Sequence, residues 1–169
     1  ALALQVVLAK QRHEVESWPA IARSEKTDGL LAAFDAKLPF TLTQGQVEVA
    51  KTISAEMAAG HPMHRLLQGE VGSGKTVVAV RAMLTVVDSG GQAALLAPTE
   101  VLAAQHYRAI TTLLGPLAER GKLGAHDEGT GVTLLTGSMT TAARRQALLD
   151  ITSGQAGIVI GTHALLEDR

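Results

Sequence analysis

From Thr43 onward the apolar positions alternate between two periods. Helical spacing predicts helices over 43–59, 75–88, 99–114 and 140–152. Between them, short apolar runs predict strands over 64–68, 92–97, 131–135 and 157–161. Three of those runs are nearly unbroken: Ala93-Ala94-Leu95-Leu96, Val132-Thr133-Leu134-Leu135 and Ile158-Val159-Ile160. Continuous rather than alternating apolar strands suit a parallel sheet buried on both faces, and strands alternating with helices give an α/β fold. Gly115–Gly131, with Asp127-Glu128-Gly129, is a candidate mobile loop.

The leading forty residues follow a different pattern. Leu2, Val6, Ala9 and His13 fall near one face and predict a helix from Ala1 to about Glu16. Pro19 ends it, because its ring disfavours helical backbone at Trp18. Residues 19–27 read as a polar connector, and Asp28 is the expected cap of a short helix through Phe34. Leu38-Pro39-Phe40 then leads out in extended form. The expected division is a lead-in over 1–37 and a domain over 38–169.

Composition narrows the classes. The 169 residues are 46% apolar, enough for a packed core and too apolar for wholesale disorder. No run approaches the roughly 20 apolar residues of a membrane span. There is no Cys, which excludes disulfides and thiolate metal sites and leaves a cytosolic home unopposed. With no opening Met, the chain is expected to begin inside a longer protein. A net charge of −1 announces no basic patch, and Trp18, Phe34, Phe40 and Tyr107 are too few rings for a base-stacking platform. The six His are scattered, so a metal centre built on them is not expected.

One contiguous motif carries chemistry. Residues 69–76, Gly-Glu-Val-Gly-Ser-Gly-Lys-Thr, fit G-x-x-x-x-G-K-[ST] and open a predicted helix. Glycines free the backbone of Gly69, Glu70, Val71, Gly72, Ser73 and Gly74 to turn amides inward around a phosphate, aided by the positive end of the following helix. Lys75 is expected to reach the β- and γ-phosphates, and Thr76 to offer its hydroxyl to Mg²⁺. The loop predicts a nucleoside triphosphate ligand. A GTPase or small-molecule kinase on the same loop is an alternative, because Asp88-Ser89-Gly90-Gly91 fits D-x-x-G; it lies at a helix end, however, and no Asn-Lys-x-Asp base-reading motif occurs. A nucleotide-dependent binding module without catalysis is a second alternative.

Further segments fall at the C-terminal ends of predicted strands, where open α/β sheets bind ligands. These are Ala97-Pro98-Thr99-Glu100 with Gln105-His106, Thr136-Gly137-Ser138, and Gly161-Thr162-His163. Each also has a bland reading as a turn or helix start. Thr43-x-x-Gln46 opens the first helix and fits a capping box. Arg81, Arg144 and Arg145 read by default as solvated helix faces.

In this order, from about Leu38 to Leu166, the segments resemble the first motor domain of superfamily 2 helicases, and within it the RecG family of branch-migrating DNA helicases. Thr136-Gly137-Ser138 favours that family over the transcription-repair coupling translocases. The resemblance implies a RecA-like P-loop NTPase domain with a mainly parallel sheet, incomplete at its C-terminal end and preceded by a helical lead-in from a wedge domain. It implies ATP and Mg²⁺ as ligands, with Gln46 on the adenine and Lys75 and Thr76 in the catalytic roles. It further implies that Thr99, Gln105, Thr136, Gly137, Ser138, Gly161, Thr162 and His163 line a DNA track. Contacts to phosphates do not read bases, so branched DNA would be bound irrespective of sequence, by a monomeric protein. The acidic Asp-Glu-x-His segment that completes hydrolysis in this superfamily would lie on a strand beyond Arg169, and Glu167-Asp168 is no substitute. The expectation is that the chain alone binds ATP, turns over almost none, and carries an unpaired sheet edge prone to association.

Overall fold

Three strands, β1 (Ala93–Leu96), β2 (Gly131–Leu135) and β3 (Ala156–Gly161), form a parallel sheet in the order β1-β3-β2. The computed structural model describes residues 17–118 and 129–166, with isolated helical positions Gln5, Val6, Lys10 and Glu14. The rest of the predicted helix over 1–16, the middle of the candidate loop and Glu167-Asp168 lie outside the described residues. Among the described residues no helix is long and apolar enough to cross a membrane.

Among the described residues, five bounded α-helices accompany the strands: α1 (Leu30–Lys37), α2 (Gln44–Met57), α3 (Lys75–Asp88), α4 (Glu100–Leu114) and α5 (Thr141–Thr152). Threonine hydroxyls cap three of them: Thr43 takes the Gln46 amide, Thr99 the Leu102 amide and Thr140 the Ala143 amide. Each cap satisfies one of the amides that a helix start leaves without an acceptor. β3 takes the centre because all six of its positions are buried. Its register places Ile158 and Ile160 beside Val132 and Leu134 on one face. That face packs with Leu95 against Val80, Leu84, Ile110 and Leu114 of α3 and α4. On the other face α5 lies chiefly on β2 and β3, while Ala94 and Leu96 of β1 are exposed.

Three expectations need correction. The first is the predicted strand over 64–68. Residues 64–68 form no strand, and Leu66 is 82% exposed. A strand exists only when a neighbour completes its ladder, and no strand pairs with this run among the described residues. Arg65 instead pairs with Glu56 on α2, its Nε donating at 2.7 Å, and only Leu67 reaches the core.

The second concerns Asp28, which caps nothing. Gly29 occupies the cap position of α1, with no side-chain cap bond, and the helix runs on past Phe34 to Lys37. The α1 amides are taken by Asp88, at the far end of α3: Leu30 N donates to Oδ1 at 2.7 Å and Leu31 N to Oδ2 at 3.0 Å. A carboxylate also suits the positive end of a helix. Asp88→Ala is therefore expected to lower stability by about 1–2 kcal/mol in urea unfolding, the range for a lost helix cap.

The third is Arg81, read as a solvated face. Its side chain is only 15% exposed and pairs with Asp35 of α1. The connector is pinned too. Ala20 N donates to Gly60 O at 2.9 Å and Arg23 N to Met57 O at 2.7 Å, and Arg23 Nη1 reaches Ser89 O at 3.0 Å. Leu30, Leu31 and Phe34 share one buried cluster with Val77, Val80 and Leu84 of α3.

Candidate nucleotide and nucleic-acid site

The loop over 69–76 turns tightly enough to open α3 directly. Ser73 N donates to Glu70 O at 3.2 Å, and α3 starts at Lys75 with Gly74 as its cap residue. Gly72 and Gly74 have φ of 85° and 82°, a region that side-chain-bearing residues rarely occupy. A Cβ on Gly74 would also run into Gln46 Nε2. Lys75 folds back over the loop, its Nζ donating to Gly69 O at 2.8 Å and Glu70 O at 2.7 Å. Residues 69–73 are exposed, so no packed side chain covers the turn. Val77 and Val78 already donate to Gly74 O, and the Lys75 and Thr76 amides before them have no carbonyl a turn earlier in the helix to bond. A glycine-walled turn with a lysine above it and free helix amides at its base fits a phosphate chain.

Gln46 does two things at once. Its Oε1 accepts from Thr43 N at 2.9 Å, which completes the capping box, and its Nε2 donates to Ser73 O at 2.9 Å. The start of α2 is thereby fastened to the loop. Beside it runs an open groove lined by Leu38, Pro39, Phe40, Thr41, Leu42 and Val47, together with Asp35 and Arg81. Gly74→Ala is expected to weaken nucleoside triphosphate binding about tenfold, since the left-handed backbone costs an alanine about 1–2 kcal/mol and the Gln46 contact is pushed aside. Titration with a fluorescent nucleotide analogue reads it.

Because the three strands are parallel, the segments after them gather at one end of the sheet. Ala97 N donates to Gly161 O at 2.8 Å, holding the β1 and β3 tips together. Glu100 joins the β1 and β2 tips. Its carboxylate accepts the Ser138 amide at 2.8 Å and the Ser138 hydroxyl, with Gly137 packed beside it. The Ser138 hydroxyl is the largest influence holding this carboxyl below its usual range, followed by the Ser138 amide, with smaller help from the Gly137 amide and the nearby His163. Glu100 thus links the β1 and β2 tips, and the Ala97–Gly161 bond ties the β3 tip to them.

The predicted track residues separate by burial. Thr99, Gln105, Gly137, Ser138 and His163 are exposed, whereas Thr136, Gly161 and Thr162 are buried. Thr136 N is directed to Met139 Sδ at 3.3 Å. Gly161 lies hard against β2, since a Cβ there would strike Leu135 O. The buried three shape the tips; the exposed five face outward. Sequence reasoning passed over Glu100 as a site residue. An acidic residue in the first turn of a helix is ordinarily there for the helix dipole, and nothing local shows that it reaches the next strand tip. Asp88 is occupied at α1 and takes no part in a GTPase-type switch beside the loop.

The sequence pattern of the DEAD/DEAH box helicase family matches residues 43–169. The chain is 55% identical over 168 residues to the ATP-dependent DNA helicase RecG of Mycobacterium bovis, covering 99% of this chain and 23% of that protein. It is 39% identical over 166 residues to the RecG of Aquifex aeolicus, covering 98% of this chain and 19% of that one. A solved structure of RecG bound to a three-way DNA junction superposes with a TM-score of 0.81 at 38% identity, over 97% of this chain and 21% of that chain. The chain therefore spans roughly a fifth to a quarter of the length of these relatives.

Proposed function

This chain belongs to the DEAD/DEAH box helicase family, and from that premise we propose that it binds ATP and serves an ATP-dependent helicase that remodels branched DNA. The observation that carries the reading is the pairing of two sites on one sheet-based scaffold: the lysine-covered glycine turn, fastened to Gln46, and the three strand tips joined by Glu100 and by the Ala97–Gly161 bond. Support for the DNA class comes from the relatives named RecG and from the similar structure holding a three-way junction.

The residue roles follow from position. Gly69 to Gly74 receive the phosphate chain on backbone amides, and Lys75 neutralises the charge that grows as the terminal phosphoryl group leaves. Gln46 contacts the adenine, and the exposed ring of Phe40 in the adjoining groove offers it a stacking face. Mg²⁺, carried mainly by the phosphates, would take the Thr76 hydroxyl and draw charge off their oxygens. Thr99, Gln105, Gly137, Ser138 and His163 meet backbone phosphates, and Thr136, Gly161 and Thr162 hold those residues in place. Contacts of this kind fix position without reading bases. The protein acts on DNA as a monomer in the cytoplasm, as the absence of Cys permits.

The test is unwinding of a synthetic three-way junction by a polypeptide of full RecG length carrying this domain. ATP-dependent strand release supports the reading; junction binding that ATP does not alter would leave a binding module instead.

A further inference from the structure

We infer that the Glu100 carboxylate is a built-in stand-in for a backbone phosphate on the Gly137-Ser138 turn, and that a nucleic-acid phosphate takes that seat by displacing it. The inference rests on the reading of the strand tips as a nucleic-acid track, and adds how that track engages and lets go.

The amide and the hydroxyl of Ser138 converge on the two Glu100 oxygens, with the Gly137 backbone close beside them. That set of donors is generic for an oxyanion, and phosphate oxygens present the same acceptors as a carboxylate. Gly137 belongs to the seat, since a Cβ there would sit 3.2 Å from Glu100 Oε1. The seat is open to solvent, because Gly137 and Ser138 are both exposed. Hydrogen bonds made at a water-exposed site are modest in net strength, so one acceptor can exchange for another.

A purely structural strut is the competing explanation, and the turn has other supports. Thr136 is buried at its start and directs its amide to Met139 Sδ. Thr140 closes it by capping α5 through the Ala143 amide at 3.3 Å. With both ends secured, the turn does not need a carboxylate from α4 to keep its shape. What Glu100 supplies is an acceptor of matching charge for the Ser138 amide and hydroxyl whenever no phosphate is there. Each phosphate contact then replaces a bond already made, so the grip is shallow and easily released. A contact that must be remade along a moving backbone benefits from cheap release.

The experiment follows the Gly137 and Ser138 amide signals by NMR in the full chain and in Glu100→Gln, titrated with inorganic phosphate and separately with a blunt duplex of arbitrary sequence. Removing the competing charge is expected to tighten both ligands about five-fold, with both amides shifting. Unchanged or weaker binding in Glu100→Gln, with DNA still bound, overturns the stand-in while leaving the track in place. So does a Glu100→Gln or Glu100→Ala chain that no longer folds, which would mark the carboxylate as a strut. Duplex that binds neither protein removes the track itself, and this inference with it.

Discussion

Lys75→Ala is expected to cut ATP turnover about a thousand-fold, the upper range for losing one charge-stabilising donor aimed at the transition state. An ammonium has three donors. Two are given to Gly69 O and Glu70 O, which hold the group above the loop and leave the third for a phosphate oxygen. The base of the side chain is fixed as well, because α3 is tied to α1 by Asp88 at one end and Arg81 midway. Charge placed this rigidly need not reorganise when the phosphoryl group leaves. Lys75→Arg is not expected to rescue, since a planar fork does not match the point-like ammonium between two carbonyls. Phosphate release in a polypeptide of full RecG length, with junction DNA present, measures the effect. Turnover within tenfold of the parent would remove Lys75 from the mechanism. Lys75 is only partly buried at a surface loop, so an unfolding midpoint close to that of the parent separates this loss from misfolding.

What the sequence disclosed is what lies close together along it. Helical period and contiguous apolar runs are local signals, and α3, α4, α5 and all three observed strands stand within a residue or so of the predicted bounds. The phosphate loop was readable because its residues are adjacent. The failures share one cause, which is dependence on a distant partner. Residues 64–68 look like a strand but lack a neighbour to pair with. Asp28 stood near α1, yet the carboxylate that bonds α1 comes from Asp88, 58 residues beyond Leu30. Glu100 and Ser138 are 38 residues apart and meet only because parallel strands bring their tips together. Burial was equally hidden: nothing in Thr136-Gly137-Ser138 reveals that the first is enclosed and the next two are open.

Phe34→Ala is expected to remove about 3–5 kcal/mol of stability, the usual cost of emptying a buried phenylalanine site. Phe34 is 1% exposed and lies in one cluster with Val77, Val80 and Leu84 of the helix that carries Lys75. A lead-in that merely trailed from the domain would lose little, because its side chains would be in water both before and after unfolding. The packing says otherwise, and at roughly 2–4 °C per kcal/mol the unfolding midpoint should fall by about 10 °C. The location of the loss matters as much as its size. If α1 and the sheet unfold as one unit, circular dichroism and a probe in β3 will report the same lowered midpoint. Two separate transitions, with the sheet unmoved, would show that α1 is an appendage. The single-unit outcome carries a functional consequence: strain entering through the connector at Arg23 would reach α3, and through it Lys75, without passing any flexible joint.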